Sequence, residues 1–294
     1  MSRPIAALTA DGLKLHLQHG PIDLIITAEG CSNRRREAFA IAEDVMQTVL
    51  IDLVAELAIL RIPAGSGRAV AGSVASRMVS ATSGFGEIFI TPMAAVAGAV
   101  ADHVLSHSMQ AGLDRLIVNN GGDIAFGLSA GRSISIGLMG PASDHRLGGT
   151  VTINEADDVR GVATSGWRGR SFSLGIADAV TVFAHDAAAA DAAASVIASA
   201  VDLPGHPSIR REPACALQQD SDLGELLVTV SVGELDAAEQ HEAMQHGRVI
   251  AERLADGGRI AAALIVLGDQ WCAIEGQHGL LGNRLLGPAG LPRG

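Results

Sequence analysis

The stretch RLIVNNGGDIAFGL, residues 115–128, decides how the chain is read, because two apolar runs meet there across Asn119-Asn120-Gly121-Gly122-Asp123. Residues 115–119 and 124–128 have strand character, and the polar, glycine-bearing link between them is a turn signal. Two successive glycines permit backbone angles closed to other residues and expose amide groups, while Asp123 can accept from a hydroxyl or an amine. A diglycine turn with a capping aspartate accounts for the same residues with no ligand, so the motif alone leaves both readings open.

Outward from this turn the pattern is strand-rich on one side and helical on the other. Further strands are predicted at 133–138, 149–154, 159–164, 178–184 and 226–232, with a final pair around Gly268-Asp269. Short strands at 13–18 and 22–28 flank His19-Gly20-Pro21, which predicts a hairpin or tight corner. Ser32 is the expected cap of a long helix to about 59, whose Ala38, Ile41, Ala42, Val45, Met46, Val49 and Leu53 recur at helical spacing. Thr91-Pro92 opens a helix running to Gly112 whose first turns carry only small side chains, so that it can lie very close to a sheet or a ligand. Helices are also predicted over 186–201 and 234–256, separated by an irregular Pro-containing segment at 202–220 and the strand at 226–232. The expected class is mixed α/β of the α+β kind, with largely antiparallel sheets packed by long helices. Residues 1–276 read as a single domain, followed by a loose or partner-docked tail at 277–294.

Composition narrows the function classes. With 48% hydrophobic but 3% aromatic residues, 35 Gly and no Tyr, the core must be filled by Ala, Val, Ile and Leu in close contact. A net charge of -11 argues against a nucleic-acid partner, since phosphate-backbone affinity comes from Lys and Arg. Cys31, Cys215 and Cys272 are far apart and form no CxxC, as expected of free thiols in a reducing compartment. The N-terminal MSRPIAALTADG lacks a signal-peptide core, and the apolar runs 93–101 and 260–267 fall short of a membrane span. These features lead to the expectation of a soluble cytoplasmic protein with no membrane partner.

Two further constellations carry chemistry. GVATSGWRGRS, residues 161–171, joins a strand to a loop with Thr164, Ser165, Gly166, Arg168 and Arg170, a donor set suited to a phosphate or to a solvated hairpin. Asp191 and Ser195 stand four residues apart, on one face of the predicted helix. Such oxygen ligands suit Mg2+, and a helical aspartate placed to favour the helix dipole is the alternative. Isolated histidines such as His103, His107 and His185 read as surface or helix residues.

The order of these pieces adds information that none has alone. TPMAAVAGAVAD (91–102), IVNNGGDIAFG (117–127), GVATSG (161–166) and ADAVTVFAHDAAAADAAAS (177–195) together resemble the ApbE-like superfamily, whose typical members are magnesium-dependent FAD:protein FMN transferases. The resemblance spans roughly 85–201, and HGPIDLII (19–26) resembles the superfamily's short branch. It implies an ApbE-like fold, FAD or FMN as substrate or ligand, and Mg2+ held by Asp191. Asn120, Gly121, Gly122 and Asp123 fall on the flavin-site turn, Thr164-Ser165-Gly166 on the hydroxyl-glycine turn, and Ser195 where the transferases usually carry Thr. The sequence also departs from the pattern: Ala97, not Lys, precedes Gly98, and no His-x-x-Asp-Pro lies in 167–177. Arg170 stands where the short branch commonly has His.

A transferase needs a group that activates the acceptor hydroxyl, and Asp178 and Asp123 are the candidates by position. Three readings therefore stand: a Mg-dependent flavin transferase with a flavoprotein acceptor, a non-transferase flavin- or heterocycle-binding partner of a reductase or maturation system, and a structural subunit. Flat small-residue helix faces favour a homo-oligomer in each.

Overall fold

A computed structural model describes residues 3–109, 112–140, 147–277, 279–281 and 285–286. The chain forms two compact units interleaved in sequence: Met1–Ile134, Asn154–Ala163 and Ala184–Ala192 in the first, Ser135–Ile153, Thr164–Phe183 and Ala193–Gly294 in the second.

In the first unit β1 (Ile5–Leu8), β2 (Lys14–His19), β3 (Ile22–Glu29), β4 (Arg115–Asn120) and β5 (Asp123–Leu128) are neighbours in that order. All four pairings are antiparallel. Alternation sets the faces: Leu15, Leu17 and His19 of β2 and Ile22, Leu24, Ile26 and Ala28 of β3 point inward. The expected corner at 19–21 is a hairpin with His19 opposite Ile22 and Gly20 at φ 59°. The diglycine link closes β4 onto β5 with Asn120 opposite Asp123, Gly121 at φ 68° and Gly122 at φ 117°. Both angles lie where a side chain is strained, so the two glycines are required by the turn itself. The start of β8 (Gly161–Ser165) pairs antiparallel with β5.

Helices cover this sheet. α1 (Ser32–Leu60) buries Ala38, Phe39, Ala42, Met46, Val49 and Leu53 in a stripe of helical period. Its N-cap is Cys31 rather than the expected Ser32, because Ser32 is already helical and Arg35 N–H bonds to the Cys31 carbonyl. α2 (Ser73–Thr82) was not foreseen in the Gly- and Ser-rich stretch after Pro63. It begins at Gly72, which has no side chain to cap with, and the Glu56 carboxylate from α1 serves instead, accepting Ala71 N–H at 2.6 Å and Gly72 N–H at 2.9 Å. Thr91-Pro92 opens a 3-10 turn, Pro92–Ala95, and α3 (Val96–Ser108) follows, ending before the expected Gly112.

The second unit holds β9 (Ala179–Ala184), β12 (Ala262–Leu267) and β13 (Gln270–Glu275), in antiparallel order. β9 and β12 are buried at every position, which is why they read as continuous apolar runs. A separate sheet joins β6 (Ser133–Met139), β7 (Leu147–Asn154) and β14 (Leu285–Leu286). The segment 202–220, expected to be irregular, contains β10 (Ile209–Pro213) and the single-turn α5 (Ala214–Leu217). β10 was illegible because IRREP does not alternate; its pairing with β11 (Leu227–Val232) and an ion pair from Arg211 to Asp202 hold it. Most of the expected tail at 277–294 lies outside the described residues, though Leu280 and Leu281 are buried. β8 and α4 (Ala187–Ala200) each continue from the first unit into the second.

α6 (Ala237–Asp256) starts with a complete capping box: Asp236 accepts from Ala238 and Glu239 N–H, and the Glu239 carboxylate accepts from Asp236 N–H. Asp236→Ala is expected to cost about 1 kcal/mol, read as a lower midpoint in urea at unchanged slope.

Candidate functional site

The centre of the first unit is a backbone-to-backbone contact. A Cβ added to Gly98 of α3 would lie 2.2 Å from the Ala187 carbonyl oxygen, and one on Gly161 of β8 would lie 2.0 Å from the Asp186 carbonyl carbon. Only residues without side chains allow α3 and β8 to approach the first turn of α4 so closely.

At this contact the two helices cap one another. Asp102, midway along α3, accepts Ala187 N–H at 3.0 Å on one carboxylate oxygen and Ala188 N–H at 2.8 Å on the other. Asp186 accepts Ala189 N–H at 2.7 Å, so the leading donors of α4 are all matched. In return Asp191, on the second turn of α4, accepts Gly98 N–H in the first turn of α3 at 3.0 Å. Each carboxylate therefore lies at the positive end of the other's helix. Asp102 was not singled out in the sequence; a lone carboxylate in the Ala, Gly and Val face of 96–104 was the available signal.

Electrostatics distinguish the two caps. Asp102 is 5% exposed, and burial first, then the Asp186 charge, raise its pKa to about 6. Since the folded form holds its proton more tightly than the unfolded chain, its contribution is present below the ordinary 3.8 and is lost as pH rises through about 6. Asp102→Asn should thus narrow its stability deficit against wild type as pH rises across that window, measured by urea denaturation. Asp102→Ala should cost about 1–3 kcal/mol for each amide left buried without a partner.

Asp191 is pushed well above the carboxylate range, first by burial and then by the Asp123 charge, with the Gly98 and Ala97 amides pulling back. Asn120, 7% exposed, donates from Nδ2 to the Ala97 carbonyl at 3.1 Å, which ties the diglycine turn to the start of α3. Gly122 N–H donates to Asn119 Oδ1 at 2.8 Å, while Gly121 and Gly122 stay exposed. Of the residues expected at a site, Gly98, Asn120, Gly121, Gly122, Asp123 and Asp191 are brought into one neighbourhood. Ser195 is half-buried, one turn further along α4.

The remaining expected residues belong to the second unit. Thr164 Oγ1 lies 2.9 Å from Thr181 Oγ1, and a Cβ on Gly166 would meet the Asp178 carbonyl oxygen at 2.4 Å. Trp167 Nε1 and Arg168 Nε donate to Asp178 Oδ1 at 3.1 and 2.7 Å, and Gly268 N–H donates to Oδ2 at 2.8 Å. Asp178 thus acts as an anchor that fixes the loop after β8 and the β12–β13 turn. Arg168 also stacks 4.4 Å over the Trp167 ring. Arg168, Asp178, Glu234, Leu235, Gln240 and Gly268 line a cavity of about 350 Å³. Arg170 is exposed and Ser165 half-buried.

Among the described residues no three His, Cys, Asp or Glu side chains converge as a metal cage, and no helix is long and apolar enough to cross a membrane. A cation near Asp191 would need water or ligand oxygens to complete its shell, as Mg2+ commonly does.

Antiparallel sheets packed by helices, with the diglycine turn ahead of the carboxylate-bearing α4 in the chain, match the order of pieces on which the resemblance to the ApbE-like superfamily rests. A family model described as AbpE bacteria matches residues 6–277, and the chain belongs to that family. It is 41% identical over 167 residues to a UPF0280 protein of Methanothermobacter thermautotrophicus, covering 55% of this chain and 62% of that one. A UPF0280 protein of Methanopyrus kandleri is 44% identical over 128 residues, 43% of this chain and 48% of that one. The chain thus spans about half to three-fifths of the length of the curated relatives it matches. The crystal structure of an ApbE protein from Thermotoga maritima shares the fold at TM-score 0.50, with 12% identity over 94% of this chain and 97% of that one.

Proposed function

We propose that the protein binds a flavin nucleotide, FAD or FMN, at the diglycine turn and the start of α3, together with Mg2+ at Asp191. The observation that carries this reading is the half-buried Asp191 carboxylate, bonded to Gly98 N–H and beside Asp123: two like charges in one neighbourhood are what a divalent cation neutralises. Asp191 would hold the ion, with Ser195 as the hydroxyl partner and ligand phosphates or water supplying the rest. When bound, Mg2+ would neutralise charge on the pyrophosphate.

The chain's own residues then divide the work. Gly121 and Gly122, exposed and free of side chains, let a ligand approach the backbone of the turn. Asn120 holds that turn against Ala97, and Gly98 keeps α3 and α4 at the separation that aims Asp191. Asp123 accepts a proton or hydrogen bond from the flavin or from an acceptor hydroxyl, which makes it the better-placed base. Asp178, already an acceptor for Trp167, Arg168 and Gly268, serves by positioning Arg168. In the second unit, taken by itself, the loop of Thr164, Ser165, Gly166, Arg168 and Arg170 carries hydroxyl and guanidinium donors of the kind that suit a phosphate.

Transfer of FMN from FAD to a flavoprotein hydroxyl is the activity this site supports. The second reading, a flavin- or heterocycle-binding partner of a reductase or maturation system, is favoured by Ala97, which removes the cation expected beside Gly98. Incubation with FAD, Mg2+ and an acceptor flavoprotein separates them: AMP release with a covalently yellow acceptor supports transfer, whereas tight binding without AMP supports the second reading. Absence of any melting-temperature rise with FAD or FMN, with or without Mg2+, would count against both. Action in the cytoplasm as a homo-oligomer belongs to the same proposal, and sedimentation of the purified protein tests the self-association.

A further inference from the structure

A pair of imidazoles on α3 is used by nothing described so far. His103 and His107 are one helical turn apart, with ring centroids 4.5 Å apart and planes tilted by 59°. His103 is half-buried and His107 exposed. His107 Nδ1 lies 2.8 Å from the His103 carbonyl oxygen, which can only accept, so this nitrogen carries the proton. The lone pair of His107 is therefore on Nε2. His103 Nδ1 lies 3.4 Å from the Ser73 hydroxyl of α2, which can donate to it.

We infer that His103 and His107 form a surface site for a borderline transition-metal ion such as Zn2+, distinct from the oxygen ligands proposed for Mg2+. Two imidazoles at i and i+4 on a helix present nitrogens to one ion, and an outer hydrogen bond from Nδ1–H to a carbonyl is the usual support of a ligating histidine.

Surrounding charge is mixed: Arg77 of α2 opposes a cation at His103 and Asp52 of α1 favours one. Burial first, then His107 and Arg77, lower the His103 pKa to about 4. No third His, Cys, Asp or Glu joins the pair among the described residues. Water or a partner's side chain must then complete the tetrahedron, so the site is open rather than a closed structural one.

The test is calorimetric titration of tag-free protein with Zn2+ alone, in a buffer holding excess Mg2+ to occupy oxygen sites. One saturable Zn2+ per chain is expected for wild type and for the control His241→Gln. His107→Gln, a change at an exposed position that leaves the fold intact, should abolish the event, and its unchanged melting temperature would show that binding, not folding, was lost. No saturable binding in wild type, binding retained in His107→Gln, or loss in His241→Gln overturns the assignment.

Discussion

Replacing Asp191 with asparagine should raise the melting temperature of the ligand-free protein while removing its response to Mg2+. Burial and the Asp123 charge both penalise the ionised carboxyl. A group whose folded pKa is raised loses stability as pH rises from its ordinary value through the folded one, so above the ordinary 3.8 Asp191 is a liability to the empty fold. Asparagine keeps an acceptor for Gly98 N–H and discards the charge. A gain of about 0.5–2 kcal/mol is the usual scale when a functional residue is exchanged for a structural one. Alanine separates the two roles: it discards the acceptor as well, so Asp191→Ala should be about 1 kcal/mol less stable than Asp191→Asn through loss of the α3 cap. Asp191→Asn above wild type, with Asp191→Ala below Asp191→Asn, identifies a residue kept for its charge. Destabilisation by Asp191→Ala with no gain from Asp191→Asn would mean that capping is its whole role.

The largest loss of stability is expected from Gly98→Ala. Alanine ordinarily favours a helix over glycine by about 1 kcal/mol. Here its methyl would sit 2.2 Å from the Ala187 oxygen, 2.5 Å from its carbon and 2.7 Å from Ala188 N, all backbone atoms that cannot rotate away. The helices must separate, and separation lengthens the bonds from Asp102 to α4 and from Asp191 to α3 together. Overpacking of about 1–3 kcal/mol and the loss of caps outweigh the propensity gain, for a net loss of about 3 kcal/mol or more. Thermal or urea denaturation reads this directly; a variant as stable as wild type would show that α3 and α4 tolerate a wider spacing. Gly161→Ala meets Asp186 backbone at 2.0 Å and should behave alike.

Much of this arrangement was written in local sequence. The hairpin at 19–21 and the β4–β5 turn follow from glycine between apolar runs, and α1 and α6 from apolar periodicity. The pairing of Asp191 with the Asp123 turn was legible through the order of four motifs rather than through any spacing. What could not be read depends on partners far along the chain. Asp102 caps α4 across 85 and 86 positions, and α2 is held at its start by Glu56, 15 and 16 residues upstream. Nor does any local pattern tell that Asp178 would be engaged by a tryptophan, an arginine and a turn amide 90 residues on. Ser32 was misread as a cap because the preference of serine for that position says nothing of where helical angles begin.

The proposal that a flavin nucleotide and Mg2+ share the Gly98, Asp123 and Asp191 neighbourhood is tested most directly by FAD-induced melting shifts of wild type and Asp191→Asn, in Mg2+ and in EDTA. The account predicts a rise for wild type in Mg2+ that shrinks or vanishes in EDTA and in the variant. An equal rise in all four conditions, or none in any, would contradict it.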